Sequence, residues 1–205
     1  MVGLSFKEVN AASAYSVLRY VVSTPQIPDR ACLVISVLNS ETEVLSTAKN
    51  ALIEAFGPIG REIGPLEFKF TTFYDQELGP EIRRWLWAFE KLVDRGELAS
   101  IKCLTNRLEQ EYTDNGKRRF NLDPGLLTLE NFILATGKNR AHRIYLEQGI
   151  FGDLTLVFQK GSYRPLEWTY PDYADPNMIR ILNTIRENHK LRLVQIWQQT
   201  NTLKV

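Results

Sequence analysis

The densest chemistry in the chain lies between Arg119 and Leu146. Asp123-Pro124-Gly125, Lys138, Arg140, His142, Arg143 and Tyr145 are spaced there around one short apolar run. Asp123 follows an expected short strand, Arg118 to Leu122, and a proline and a glycine come after it. A carboxylate so placed can orient a histidine, bind a metal or accept a substrate hydroxyl. It can equally be a turn aspartate that accepts from its own backbone two residues on. His142 is one of only two histidines. Imidazole suits proton transfer near neutral pH, and cations beside it at Arg140 and Arg143 favour its neutral form. The alternative is a strand-start histidine bonded to backbone. Alternation puts His142, Ile144 and Leu146 on one face and Arg143 and Tyr145 on the other, unless the strand begins after the histidine.

Lys138, Arg140 and Arg143, with Lys117, Arg118 and Arg119 upstream, bracket the run with six cations. Arginine forks and lysine point charges suit phosphate or carboxylate, if the two flanks converge. Otherwise they form a solvated basic edge. Trp168-Thr169-Tyr170-Pro171-Asp172-Tyr173 is a second cluster, in which aromatic rings on a proline-fixed loop can stack on a base or plug the core. The candidate catalytic residues are therefore Asp123 and His142. The candidate ligand contacts are Lys138, Arg143, Tyr145, Tyr170, Asp172 and Tyr173. Asp75, at the end of an expected strand, is the candidate ligand of a Mg²⁺ ion.

The elements that must position these residues follow from periodicity and punctuation. Ser5 and Glu8 make a capping-box pattern for a helix over 5–22, and Pro25 and Pro28 then break the chain. Cys32 to Leu38 reads as a strand buried on both faces, and Ser40 and Glu43 cap a helix that Gly57-Pro58 stops. Leu66 to Phe73 alternates as a strand after a Gly/Pro-rich turn at 57–65. Pro80 opens a helix through Val93 that would leave Trp85 or Trp87 at a contact surface, and a further helix runs from Glu97 to Tyr112. The run from Thr128 to Ala135 fits a brief helix or a strand. Arg143 to Glu147 and Phe151 to Lys160 form a hairpin through Gln148-Gly149, with a short strand after it at 163–168. Met178 to Asn188 is helical, and the tail after it is either a strand or more helix.

This order predicts an α+β fold: a mixed, mainly antiparallel sheet covered by helices, of ferredoxin-like type, with a peripheral N-terminal helix. The expected division is residues 1–28 as helix and connector, 29–188 as one domain and 189–205 as a tail. The 205 residues carry Lys+Arg 25 against Asp+Glu 24, for a net charge of +1. That balance disfavours a general nucleic-acid binder. Cys32 and Cys103 read as reduced buried thiols. Neither a membrane-spanning run nor a secretory signal is evident, so a soluble cytoplasmic protein is expected. Walker A, GxGxxG, HExxH and GxSxG patterns do not occur.

Several segments together resemble the domain-of-unknown-function 4416 family. They are FGPI (56–59), FKFTTFYDQELG (68–79), IKCLTNRLEQEY (101–112), RFNLDPGLLTL (119–129), LATGKNRAHRIYLEQGIFGDLTLVFQKG (134–161) and WTYPDY (168–173). The resemblance spans roughly Cys32 to Arg186. Members are often labelled GTP-binding proteins, and the family assigns no roles to its shared residues. Side-chain chemistry then favours a protein that binds or acts on a phosphorylated small molecule or nucleotide. The competing expectations are a non-catalytic RNA- or protein-binding module and a structural homo-oligomer.

Overall fold

A computed structural model describes residues 24–202. The helix expected over 5–22 lies outside them. The first strand, β1 (Ala31–Asn39), is buried along its whole length, as its unbroken apolar run requires of a central strand. Helix α1 (Thr42–Phe56) follows and sets Val44, Ala48 and Leu52 against the sheet. Gly57 ends it with φ 87, a conformation open to glycine, and its N–H reaches the Ile53 carbonyl at 2.8 Å. The expected capping box does not form. Ser40 instead donates its hydroxyl to the carbonyl of Leu78, and Glu41 stands at the cap without a side-chain bond.

Strand β2 (Ile59–Glu67) occupies the segment expected to be a turn, and residues 68–73 fall outside it. Gly64 and Pro65 are tolerated because β2 is the sheet's edge. A Cβ on Gly64 would lie 2.7 Å from the Trp85 ring. A four-residue helix, α2 (Asp75–Leu78), leads into β3 (Arg83–Val93). The expected helix over that last segment is therefore wrong. β3 pairs with β1 on one side and β2 on the other. A strand buried on both faces has apolar residues at nearly every position, so a helical spacing can always be picked out of it. Trp85 and Trp87 consequently share one face; Trp87 is wholly buried and Trp85 packs beside it.

After one 3-10 turn (Arg95–Glu97), helix α3 (Leu98–Glu111) appears as expected. A small hairpin, β4 (Thr113–Asp114) and β5 (Lys117–Arg118), precedes β6 (Asn121–Leu127). β6 runs straight through Asp123-Pro124-Gly125, so the expected turn there is wrong as well. Pro124 has no N–H to contribute, and pairing with the next strand begins only at Gly125. The sequence Thr128 to Ala135 resolves as strand β7 (Asn131–Thr136). The hairpin of β8 (Arg143–Glu147) and β9 (Ile150–Gln159) forms as expected, with Gln148 and Gly149 both at positive φ. β10 (Ser162–Pro165), α4 (Pro171–Ala174) and the long α5 (Pro176–Thr202) complete the chain, the tail continuing as helix.

All strand pairs of the main sheet are antiparallel, in the order β10-β9-β7-β6-β1-β3-β2. β8 and β10 lie end to end along the edge of β9 opposite β7. Within this sheet β1-α1-β2-β3-α3-β6 takes the order β6-β1-β3-β2, the connectivity of a split β-α-β arrangement. The ferredoxin-like expectation corresponds to this half, which β7–β10 extend. Helices α1 and α3 cover one face through Leu33, Ile35 and Val37, while α5 covers the other through Cys32 and Val34. The α+β, mainly antiparallel architecture is thus as expected. No helix among the described residues is long and apolar enough to cross a membrane. Cys32 and Cys103 are both free thiols.

Candidate functional site

The face that α5 covers is not covered to its end. Along β1, Cys32 and Val34 meet Met178, Leu182 and Ile185. Two residues on, Ser36 pairs with Asp123, and Leu38 pairs with Arg84 and Asn121. Cross-strand partners share a face, so these side chains lie on the α5 side but past the helix. A small cluster of Leu38, Leu78, Ile82, Phe68 and Tyr74 roofs this end instead, together with the 166–174 segment. Across the sheet, Arg143 pairs with Asp153, and Asp153 with Leu134, extending the same face outward.

Asp123 sits where the sheet opens. β7 pairs with β6 only over Gly125–Leu127, leaving Asn121–Pro124 held by β1 alone. Lys102 reaches over from α3, giving 2.8 Å to the Leu122 carbonyl and 3.3 Å to Asp123 Oδ1. Asn121 Nδ2 donates to Asp123 Oδ2 at 2.6 Å. Glu109, two helical turns along the same face from Lys102, accepts from the Leu122 N–H at 2.5 Å and from Arg118 at 2.7 Å. Burial pushes the Glu109 carboxyl up, while Lys102, the Leu122 N–H and Arg118 pull it down. Arg118 also forks onto Glu77 at 2.6 and 2.7 Å, and that bond holds Glu77 below the usual carboxylate range. Burial and then the nearby Asp123 charge push the Tyr74 phenol up, so Tyr74 stays protonated beside the carboxylate.

Next to this cluster, Arg84 and Asp172 form an ion pair at 2.5 Å, with residue exposures of 4% and 9%. The guanidinium lies over the rings of Phe68 and Tyr173 at 4.8 and 5.0 Å. Asp172 therefore neutralises a buried arginine, which explains a carboxylate between two tyrosines better than a ligand contact does. Tyr173 is core: its ring packs on Phe132, and burial raises its phenol.

The third part of the site centres on Arg143. β8 begins at Arg143, after the histidine, so His142 and Arg143 do reach one partner. Arg143 Nε meets Asp153 Oδ2 at 2.8 Å, and His142 Nε2 lies 3.4 Å from the same oxygen. Arg143 also donates to the Lys138 carbonyl at 2.8 Å and to the Tyr170 hydroxyl at 3.2 Å. The His142 ring stacks on Trp168 at 5.2 Å and 13°. Trp168 is itself fixed by its indole N–H on the Leu154 carbonyl at 2.9 Å. Lys138 extends its ammonium over the exposed Phe73 ring at 5.2 Å, and Phe73 packs edge-on against Tyr74. Phe73 and Tyr74 thus join the Arg143 group to the Asp123 group along one face.

The structure brings together Asp123, Lys138, His142, Arg143, Tyr170, Asp172 and Tyr173. It leaves two expected residues at the margin. Tyr145 is exposed and packs its ring edge-on against Phe151. Asp75 heads α2 with its side chain in solvent. Among the described residues no group of three or more His, Cys, Asp or Glu gathers as a metal site. The six cations do not converge either, because Arg118 is consumed by Glu77 and Glu109 and Arg119 by Glu41. Lys102, Arg84, Glu109 and Asp153 were not anticipated. One signal was available. Lys102, Thr105 and Glu109 are polar residues spaced three and four apart, on the side of α3 that carries Leu98 and Ile101.

No curated protein and no solved structure matches the chain. The family model described as a domain of unknown function, DUF4416, matches residues 29–189, a span that takes in every strand of the sheet and α5 as far as His189; the chain belongs to that family.

Proposed function

We propose that this polar end of the sheet binds a small phosphorylated ligand carrying a planar group, of which a nucleotide is the fitting example. The convergence at Arg143 carries the reading. One buried guanidinium ties together the loop that bears Lys138 and His142, the Asp153 strand and the Tyr170 segment. A cation already engaged by Asp153 is a poor phosphate clamp but a good organiser. Lys138 and Arg140 are exposed and meet no carboxylate among the described residues, which leaves them for phosphate. Tyr170 and the His142–Trp168 stack offer flat surfaces for the planar group. Asp123, gripped on both oxygens but partly open to solvent, is the acceptor for a ligand hydroxyl and the group to test for base chemistry.

The test is a thermal-shift titration of the full chain with nucleoside mono-, di- and triphosphates, with and without Mg²⁺, against nucleosides and inorganic phosphate. Ligand at a hundredfold its Kd stabilises by about 2.7 kcal/mol. A shift with nucleotides that Lys138→Ala and Arg140→Ala abolish supports the reading. No shift with any phosphorylated compound, or an equal shift in the variants, rejects it.

A further inference from the structure

Under α5, at the opposite end of the face from Asp123, helix and sheet leave a cavity of about 350 Å³ between them. That is within the range of small-molecule sites, roughly 300–1,000 Å³. Cys32, Ala88 and Ile185, all members of the apolar cluster beneath α5, line its inner part. Strand register sets the polar lining. Arg61 pairs with Ala88, and alternation along β3 puts Glu90 on the Ala88 face, the one that α5 covers. Gly60 decides where Glu90 lies. A Cβ there would be 2.8 Å from Glu90 Cγ, so glycine lets the Glu90 stem rest across β2. His189 and Arg192 complete this lining from the helix.

His189 is 1% exposed, and neither ring nitrogen has a hydrogen-bond partner among the described residues. Burial, with Arg192 and Arg95 nearby, keeps the ring neutral, with one N–H to give and one lone pair to receive. A buried polar group in that condition calls for a partner. Arg192 is held in place beside it: it donates to the Phe89 carbonyl at 3.2 Å, and Leu193 packs on the core. That bond leaves the rest of its planar fork for another acceptor. Arg61 and Glu90 are exposed at the open side, and neither makes an ion pair with another described residue. We propose that this cavity binds a small zwitterion of the amino-acid class, its carboxylate on Arg192 and Arg61, its ammonium on Glu90, its side chain over Cys32, Ala88 and Ile185, and a polar atom on His189. A simple anion would meet Glu90 as a like charge, and a simple cation would meet two guanidiniums. A ligand carrying both charges meets each with its opposite. The site shares no residue with the Asp123–Arg143 end, so it stands or falls apart from the phosphate reading.

The two histidines of the chain supply an internal control, since His142 belongs to the other end of the face. Histidine-ring NMR of the full chain is followed while the standard amino acids are added one at a time. At least one amino acid gives a saturable shift of the His189 signals and leaves those of His142 unmoved. Its desamino acid and its amide, each lacking one charge, bind about tenfold or more weakly. Glu90→Gln, at an exposed position, weakens binding of the amino acid by about the same factor and leaves binding of the desamino acid unchanged. Gly60→Ala, which displaces the Glu90 stem, weakens it in the same direction. No saturable His189 shift with any amino acid overturns the inference. So does a desamino acid that binds as tightly as its parent, or a Glu90→Gln protein that binds the parent as the unmodified chain does.

Discussion

The two ends of one sheet face are built in opposite ways. Under α5 the face is apolar: Cys32, Val34, Leu86 and Ala88 meet Met178, Leu182 and Ile185. Two residues further along the same strands, the positions facing the same way are Ser36, Arg84, Asn121 and Asp123. A 27-residue helix covers the first end, and a four-residue helix with aromatic loops covers the second. The difference is one of what is being buried. Apolar area is non-directional and accepts any complementary helix. Charges demand specific partners, and here nearly every one has found one: Lys102–Asp123, Arg84–Asp172, Arg118–Glu77 and Arg143–Asp153. The ordering at this end goes into holding a polar surface in place.

The largest test of this contrast is the Arg84–Asp172 pair. Asp172→Ala strands a buried guanidinium, with an expected loss of about 3–5 kcal/mol in urea unfolding. Arg84→Met with Asp172→Leu restores most of that stability, because an apolar pair removes the desolvation cost along with the Coulomb gain. If the double variant is as unstable as the single, the polar end is not a separable graft on an apolar plan.

At the other end the same question is asked by pH. Burial, with Arg192 and Arg95 nearby, pushes His189 down to about 4 from 6.5. Between those values the unfolded chain binds the extra proton, so stability rises with pH across the window and is lost as pH falls from 6.5 toward 4. A shift of that size corresponds to on the order of 3 kcal/mol. His189→Leu should flatten the curve over pH 4–6.5 without destabilising the protein at pH 7. A variant that keeps the full pH dependence would move its origin to another group.

How far the sequence announced this architecture depends on where each signal lives. β1, α1, α3 and the β8–β9 hairpin were legible because an unbroken apolar run, helical apolar spacing and turn chemistry are local, although the cap expected for α1 does not form. β3 was not, since a strand apolar on both faces mimics a helix, and β6 was not, since Asp-Pro-Gly is ordinarily a turn. His142, Arg143 and Tyr170 were legible by type. Their arrangement was not, because it is made by contacts across the chain: Arg84 finds Asp172 at a separation of 88 residues and Lys102 finds Asp123 at 21. Register, which nothing local specifies for so polar a stretch, sets those meetings.

Gly125 marks the junction between the two ends and gives a smaller effect. A Cβ there would lie 2.8 Å from the Phe132 ring and 3.0 Å from the Ile133 carbonyl oxygen. Both belong to β7, the strand whose pairing with β6 begins at this residue. Gly125→Ala should cost about 1–3 kcal/mol as an overpacked site, and Phe132→Leu should recover part of it. No recovery would place the strain on the backbone contact alone.

The smallest effect on stability is expected where the largest effect on binding is sought. Lys138→Ala and Arg140→Ala remove exposed cations with no carboxylate partner among the described residues, so each should alter stability by less than about 0.5 kcal/mol. Arg143→Ala, at the start of β8 just past the loop that carries both, should behave quite differently. It leaves Asp153 buried without its main partner and releases Tyr170, and the predicted cost is about 3–5 kcal/mol. Measured side by side in urea and in nucleotide titrations, the three variants separate the residues that hold the surface from those that use it. Arginine and lysine losses with equal effects on folding would erase that distinction, and with it the reason for assigning phosphate to the exposed pair.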